Sequence, residues 1–262
     1  MSDIINGSFG WVDCIASDVD VARDFYTALF DWTVDERPVP GGPPYLMFSK
    51  DGKTVAGMGP QPPEMAGIPT MWQSYVMVDD VDAHVARVAD LGGNVMMPPM
   101  DVMTEGRMAL VTDPGGAVVG MWQAGDHKGA QVFNVPGSLS WTELEAHDLA
   151  PALPFYADLF GWRWEEAPET EGYMVANIDA KPGPDKSNCG AMAYPESVGE
   201  EAPNAWFVYF LVADCEKAAA KVKELGGSVF LEPMPMGPML GAGVTDPTGG
   251  AFFLGQFLPT DG

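Results

Sequence analysis

The sequence predicts an α+β protein of four βαβββ modules, arranged as two domains in tandem. Two repeated stretches carry this prediction: DFYTALFDW, ending at Trp32, recurs as PFYADLFGW, ending at Trp162, and the turn TDPGG recurs as TDPTGG. Phe25 recurs as Phe155 and Asp113 as Asp246, at offsets of 130 and 133 residues in a chain of 262. An internal repeat of this length indicates a duplicated domain.

The first module is predicted from a strand, a helix and a strand pair. Asp18 is placed to cap the helix, whose apolar residues recur at helical spacing and therefore pack one stripe on a sheet. Asp51-Gly52 is a turn signal between two strands. The predicted elements are a strand at 11–16, a helix over Ala22, Phe25, Tyr26 and Leu29, a Pro/Gly-rich loop at 38–44, and strands at 45–49 and 54–58.

The second module repeats this order after a Pro-rich connector. Asp80 is expected to cap its helix, and Gly92-Gly93 to end it. The turn at Asp113 joins the last two strands. The predicted elements are a strand at 72–78, a helix over Val81, Val85 and Val88, and strands at 94–97, 107–112 and 117–122. We expect the helices to cover one side of the sheet and the other side to curve into a concave pocket.

The second half follows the same plan, which predicts domains at 1–125 and 138–262 with a linker at 126–137. Asp148 is expected to cap the third helix, although Pro154 lies deep for a helix start. The Met-rich runs, such as Met96-Met97 and 234–239, are expected to pack loops against the sheets or to form an adaptable rim. The predicted strands are 141–146, 172–178, 188–193 and 206–212, and the last helix is 214–225.

Charge and cysteine content limit the classes of partner. With 13 Lys and Arg against 37 Asp and Glu, the net charge is −24, which disfavours nucleic acid and anionic membranes. The three cysteines are far apart in sequence and form no CxxC motif, which is typical of neither a disulfide framework nor a zinc site. No signal peptide or membrane-spanning run is expected. The sequence favours a cytoplasmic protein, a monomer or a homodimer, with a small-molecule ligand.

The repeated motifs together resemble the vicinal oxygen chelate superfamily, which includes glyoxalase I, extradiol dioxygenases and bleomycin-resistance proteins. The resemblance is carried by the FYxxLFxW helices, the strand-then-Asp entries at Asp80 and Asp214, the LGG helix ends and the TDPxGG turns, over nearly the whole chain. It implies two βαβββ-pair domains with curved mixed sheets. It says less about chemistry, because one fold hosts many activities.

The resemblance also implies where a divalent metal would be held. The family's His, Gln and Glu ligands correspond here to Trp11, Gln73 and Gly120 in the first half, and to Trp141, Phe207 and Phe253 in the second. Only Gln73 has a side chain able to coordinate a metal. We therefore predict no cofactor, although a divalent metal held elsewhere stays an alternative. The three histidines, His84, His127 and His147, form no metal-like cluster and are expected to be exposed.

Strand alternation supplies candidate carboxylates. If Trp11 and Trp141 face the concave side, Asp13 and Glu143 face it too, because residues two apart share a face of a strand. A carboxylate beside an indole suits a general acid or base, or an anchor for a cationic group; a solvated strand-end carboxylate is the structural alternative. The same phase predicts an aromatic wall for a flat ligand, or simply a filled core. The candidate ligand-binding residues are Trp11, Gln73, Tyr75, Arg107, Trp122, Trp141, Phe207 and Tyr209, with Arg107 either pairing Asp13, holding a ligand carboxylate or lying on the surface.

Three functional classes stay open. The first is a metal-free protein that binds a small aromatic or cationic molecule, as the resemblance to bleomycin-resistance proteins implies. The second is a glyoxalase-like or hydroxylase-like enzyme that acts through Asp13 and Glu143 or through an atypical metal. The third is a fold retained as an interaction module.

Overall fold

The computed structural model describes residues 5–168, 170–181, 183 and 185–259. Its first half contains eight strands and two helices, in two modules of the predicted order. The first module consists of β1 (Phe9–Ala16), α1 (Val19–Phe30), β2 (Thr33–Arg37), β3 (Tyr45–Lys50) and β4 (Lys53–Pro60). The second consists of β5 (Met71–Met77), α2 (Val81–Val88), β6 (Asn94–Val102), β7 (Gly106–Thr112) and β8 (Val118–Ala124), after a short 3-10 helix at Pro63–Met65.

The second half repeats these elements in the same order. The third module consists of β9 (Leu139–Ala146), α3 (Ala152–Phe160), β10 (Arg163–Glu166), β11 (Met174–Asn177) and β12 (Ser187–Ala193). The fourth consists of β13 (Ala205–Leu211), α4 (Cys215–Glu224), β14 (Ser228–Met236), β15 (Met239–Thr245) and β16 (Ala251–Phe257). Within the described residues, no helix is both long and apolar enough to cross a membrane.

Each half forms one eight-stranded mixed sheet, which confirms the predicted fold class. The strand orders are β2-β3-β4-β1-β5-β8-β7-β6 and β10-β11-β12-β9-β13-β16-β15-β14, so the halves share one topology. In each sheet the two central strands are antiparallel to each other and parallel to their outer neighbours. Because β8 ends at Ala124 and β9 begins at Leu139, we propose 1–125 and 138–262 as the domains and 126–137 as the linker. Residues 1–4 and 260–262 lie outside the described part.

The helices start where acidic caps satisfy free backbone N–H groups. Asp18, Asp80 and Asp214 each accept a hydrogen bond from the backbone N–H three residues further on, at 3.1, 2.9 and 3.0 Å. The prediction that Asp148 caps the third helix is wrong. Its Oδ1 accepts from the N–H of Ala150, two residues on, and α3 begins only at Ala152 with Pro151 as N-cap.

At the sheet edges, two short strands have no counterpart among the predicted elements, and one prediction is wrong. The short strands β2 and β10 are poorly signalled because most of their residues are exposed, so their hydrophobic alternation is weak. The Met-rich runs are not loops, because Met96-Met97 and Met234 to Met236 lie within the edge strands β6 and β14. Met96, Met100 and Met234 are exposed on these strands.

The hydrophobic cores are shared between the two halves. One core joins the first module to the fourth and packs Phe25 and Tyr26 of α1 with Phe210 and Phe252. The other joins the second module to the third, where α3 packs with residues of β5, β7 and β8. Both cores lie on the side of each sheet that the helices cover. We call the opposite side of each sheet its helix-free face.

Two buried hydrogen-bond chains tie the halves together and involve the repeated motifs. The Tyr26 hydroxyl donates to Asp246 Oδ2 at 2.8 Å and accepts from the Trp72 indole at 2.9 Å. In the other core, Tyr156 donates to Asp113 Oδ2 at 3.1 Å and accepts from the Trp206 indole at 2.7 Å. The tyrosine of each FYxxLF helix therefore bonds to the aspartate of the TDPxGG turn in the opposite half.

Candidate functional site

The first helix-free face carries the predicted side chains of β1, β5 and β8. In the sheet, Asp13 lies opposite Gln73, Trp11 lies opposite Tyr75, and Tyr75 lies opposite Gly120. Trp11, Tyr75 and Trp122 are 2%, 4% and 6% exposed and form a small apolar cluster with Met77. The structure therefore brings together the first-half residues that alternation selected, with one exception.

The exception is Arg107, and of its three predicted alternatives the pairing with Asp13 is wrong. Arg107 shares its side of β7 with Ala109 and Val111, which lie in a helix-covered core. Its guanidinium donates to both carboxylate oxygens of Asp82 on α2, at 2.7 and 2.9 Å, and to Asp101 at 2.8 Å. A strand exposes alternate residues to opposite faces, so Arg107 cannot lie beside Asp13.

Asp13 is held by hydrogen-bond donors. Its Oδ1 accepts from the Trp11 indole at 2.7 Å and from the Tyr45 hydroxyl. Burial raises the pKa of Asp13, and hydrogen bonds from Tyr45, Trp11 and Tyr75 act in the opposite direction. Asp13 is half-buried, and burial has the larger effect on its pKa.

The second half builds an equivalent cluster around Glu143, which is 5% exposed. The Tyr209 hydroxyl donates to Glu143 Oε1 at 2.7 Å, and the Tyr173 hydroxyl donates to Oε2. The Trp141 indole donates to the Tyr173 hydroxyl at 2.9 Å. Burial raises the pKa of Glu143, while the hydrogen bonds from Tyr173 and Tyr209 act to lower it.

Sequence reasoning missed the tyrosines Tyr45 and Tyr173, which lie next to these carboxylates. Each follows a glycine-containing loop and faces a glycine on the adjoining strand, Gly57 or Gly190, opposite the carboxylate residue. A Cβ on either glycine would overlap the tyrosine hydroxyl, so the glycine leaves the space that the tyrosine occupies. The signal available in the sequence was a repeated pair, a tyrosine directly after the loop and a glycine on the following strand, present in both halves.

The second face is richer in exposed aromatic surface than the first. Tyr209 stacks on Phe253 with ring centroids 4.5 Å apart, and Phe207 meets Phe253 edge-on at 5.5 Å. Phe230, 55% exposed, adds a further ring 5.7 Å from Phe253. Trp141 and Phe207 are half-buried. The sequence predicts Trp141, Phe207 and Tyr209 on this face, and Phe230 and Phe253 add to them.

The histidines occupy three different environments. His147 is exposed as expected, but that expectation is wrong for His84 and His127, which are half-buried. The His127 ring packs edge-on against Trp11, with centroids 4.2 Å apart, because the segment after β8 folds back onto the first sheet. Burial lowers the pKa of His127 to about 4, so this imidazole is neutral near pH 7.

The residues at the family's metal positions do not fit a divalent metal. The Gln73 amide nitrogen donates to the Ser74 carbonyl at 2.9 Å, and the Tyr75 ring fills the space that a side chain at Gly120 would need. The polar neighbours of Asp13 and Glu143 are indole N–H and phenol O–H groups, which donate hydrogen bonds to the carboxylates. A metal requires several acceptor lone pairs at one point. Among the described residues, no group of three or more His, Cys, Asp or Glu could hold one.

We therefore expect protein purified without chelator to contain Zn, Ni, Fe and Mn at well below one equivalent per chain. Elemental analysis would measure this directly, with Gln73→Ala as the matched variant because Gln73 is the one family position with a coordinating side chain. One equivalent of metal in the natural chain, lost in Gln73→Ala, would contradict the expectation.

Glu145 is a further titratable group on the second face, where strand alternation predicts it together with Glu143. Burial, followed by repulsion from Glu143, raises its pKa to about 7. Its charge in turn adds to the burial that raises the pKa of Tyr194 to about 12. The equivalent residue in the first half is Ile15, so this second carboxylate belongs to the second half alone.

The raised pKa of Glu145 predicts a pH-dependent stability. Because the folded pKa lies above the ordinary value of 4.5, the folded state binds this proton more tightly than the unfolded chain. The free energy of unfolding should therefore fall as the pH rises from the ordinary pKa through the folded pKa near 7. We expect Glu145→Gln to lose less stability than the natural chain between about pH 5 and about pH 7.5, in urea unfolding at each pH. Glu200→Gln removes the same charge at an exposed site and should keep the natural pH slope; a natural slope in Glu145→Gln would refute the assignment.

Comparison with known proteins places this fold and site in context. The family model "Glyoxalase/Bleomycin resistance protein/Dioxygenase superfamily" matches residues 8–121 and 138–252. The chain is 40% identical over 255 residues to "Putative glyoxylase CFP32" of Mycobacterium tuberculosis, covering 96% of this chain and 95% of that one. It is 36% identical over 269 residues to "Anthracycline biosynthesis protein DnrV" of Streptomyces peucetius, covering 96% of this chain and 94% of that one.

Solved structures share the fold at low sequence identity. A Mn(II)-bound glyoxalase from Novosphingobium aromaticivorans matches with a TM-score of 0.64 and 14% identity, over 97% of this chain and 83% of that one. The 2,3-dioxygenase LapB from Pseudomonas sp. KL28 matches with a TM-score of 0.64 and 13% identity, over 97% of this chain and 94% of that one. Together with the two matched regions, these findings show that the chain belongs to the glyoxalase/bleomycin resistance protein/dioxygenase superfamily.

Proposed function

We propose that this protein binds a small, flat aromatic molecule on a helix-free face, through a carboxylate that accepts from a cationic or hydrogen-bond-donating group of the ligand. The observation that carries the proposal is the carboxylate cluster present in both halves, Asp13 with Trp11 and Tyr45, and Glu143 with Tyr173 and Tyr209. A carboxylate can accept more hydrogen bonds than the two that each of these side chains receives, so a donor group on the ligand would add to its stabilisation.

The surroundings of the carboxylates support an aromatic ligand. Indole and phenol rings offer flat apolar contact area together with polar edges that orient a ligand. The net charge of −24 attracts cations to the protein as a whole. The similarity to "Anthracycline biosynthesis protein DnrV" supports a polycyclic aromatic compound as the class to test first.

An anthracycline carrying an amino sugar is a suitable first probe, because its rings are fluorescent and its amine is cationic. We expect it to bind the natural chain and to raise its melting temperature by mass action. The double variant Asp13→Asn with Glu143→Gln keeps side-chain size but removes both charges, and it should bind about ten- to a hundredfold more weakly. Fluorescence titration would measure the dissociation constants. Equal affinity in the double variant would show that both carboxylates are structural.

A second candidate function is acid–base catalysis of a glyoxalase-like or hydroxylase-like reaction. The pKa of Glu145 is raised to about 7, which is the range that a general acid or base requires near neutral pH. The similarity to "Putative glyoxylase CFP32" supports this alternative. One equivalent of bound metal in the elemental analysis described above would favour its metal-dependent form.

We also propose a cytoplasmic protein that acts as a monomer or homodimer. Cys14, Cys189 and Cys215 are free and buried in the structure, which suits a reducing compartment. The fold and the charge both support a small-molecule partner rather than nucleic acid or membrane.

A further inference from the structure

The two helix-free faces differ in how much of their surface is available. In the first half, the segment after β8 packs onto the face: Ala130, 3% exposed, and Phe133 contact the cluster of Trp11, Tyr75 and Trp122. Backbone hydrogen bonds hold this segment in place, from Ala130 to the Gly10 carbonyl and from Gln131 to the Thr54 carbonyl, each at 2.8 Å. The indole of Trp11 is consequently almost fully buried.

The second face leaves its equivalent aromatic groups open. Trp141, which corresponds to Trp11, is half-buried, and Phe207, which corresponds to the buried Gln73, is half-buried as well. Phe230 lies over Gly243, where any side chain would overlap its ring, and leaves 55% of its surface exposed. Phe230 and Phe207 each contact the ring of Phe253, and their exposed parts provide an apolar contact surface for a flat molecule.

The second face also differs in charge. It carries Glu145 two residues after Glu143 on β9, where the first face has Ile15 after Asp13. Glu143 is satisfied by two tyrosine hydroxyls, whereas no hydrogen bond or ion pair within the described part of the chain reaches the Glu145 carboxylate. Glu145 is half-buried and repelled by Glu143, so a cation bound here would lower the free energy of both groups.

We propose that the second half carries the ligand site, and that Glu145 selects flat aromatic ligands that bear an ammonium group. The rings of Trp141, Phe207 and Phe230 contact the flat part of the ligand, and the ammonium group pairs with Glu145 beside Glu143. Aromatic faces also attract a cation directly, which adds to this preference. The first face, covered by the segment at 127–133, keeps a structural role. This inference rests on the proposed function. It adds which half of the chain holds the site and which charge the ligand carries.

The test compares two probes that differ in charge: an anthracycline with an amino sugar and its neutral aglycone, which lacks the sugar. We expect the natural chain to bind the amino-sugar anthracycline at least about tenfold more tightly than the aglycone. Glu145→Gln should remove this difference by weakening the amine alone, and Glu145→Ile, which installs the residue of the first half, should do the same. Glu200→Gln, which removes one negative charge at an exposed position, is the matched control and should leave both affinities within about twofold of the natural values.

The outcomes separate this inference from the proposed function. If both probes bind with equal affinity, or if Asp13→Asn weakens binding while both Glu145 variants leave it unchanged, the assignment to Glu145 is wrong and the proposed function stands. If neither probe binds, the proposed function is contradicted for this ligand class and the inference fails with it. Melting temperatures of all variants, measured without ligand, establish that the affinities compare folded proteins.

Discussion

Residues 1–125 and 138–262, produced as separate chains, are each expected to lack the cooperative unfolding transition of the full chain. The physical reason is that neither half contains a complete core. Helix α1 buries Phe25, Tyr26 and Phe30 against Phe210 and Phe252 of the other half, and α3 is covered in the same way by the second module. Exposing these aromatic faces removes more stabilisation than the roughly 5–15 kcal/mol by which a domain is stable.

Thermal unfolding, monitored by circular dichroism, would test each fragment alone and the two fragments mixed at equal concentration. Mixing should restore the transition, because each fragment supplies the core that the other lacks. A fragment that pairs with a second copy of itself would agree with the same reasoning, and size measurements would identify it. A monomeric fragment that melts cooperatively near the temperature of the full chain would show that the halves are independent.

Tyr26→Phe and Tyr156→Phe are each expected to destabilise the protein by about 1–3 kcal/mol. Removing the Tyr26 hydroxyl leaves the Trp72 indole N–H without its partner in a buried site, and it takes one of the donors from Asp246. Asp246 keeps hydrogen bonds from Thr248 and Gly250, so the turn itself should remain formed. The same reasoning holds for Tyr156, Trp206 and Asp113.

Urea unfolding would measure both free energies. Tyr194→Phe is the control, since its hydroxyl donates to the Pro203 carbonyl at 2.9 Å in an exposed setting, and its loss should cost less than about 1 kcal/mol. The two core variants should be additive, because they lie in separate cores. A cost at Tyr26 no larger than that at Tyr194 would mean that the buried chain of hydrogen bonds contributes little.

The sequence predicted most of the secondary structure because the information is local. The stripes of apolar residues in the helices, the caps at Asp18, Asp80 and Asp214, and the turns after the last strands each depend on neighbours within a few positions. The failure at Asp148 is local too, since α3 begins only after Pro151 and the aspartate accepts from the N–H of Ala150 in the preceding turn instead.

The candidate site was predicted only in part, because its remaining contacts depend on tertiary packing. Alternation placed Asp13 beside Trp11 correctly, since strand phase is a property of one strand. It could not place Tyr45 against Asp13, which requires the pairing of β4 with β1, nor could it show that Arg107 faces α2. The covering of Trp11 by the segment at 127–133 likewise depends on how the chain folds back after β8.

The sharing of each core between opposite halves also constrains how the chain can fold during synthesis. Helix α1 is among the first elements to leave the ribosome, yet it packs with Phe252, which lies more than two hundred positions later in sequence. Contacts so distant along the chain are slow to form, because a long loop must close before they contribute. In many proteins the N-terminal domain folds while the rest of the chain is being translated. This protein cannot fold in that order. The first module cannot complete its core before the last strand is made. The apolar face of α1 therefore stays uncovered until β16 has been synthesised.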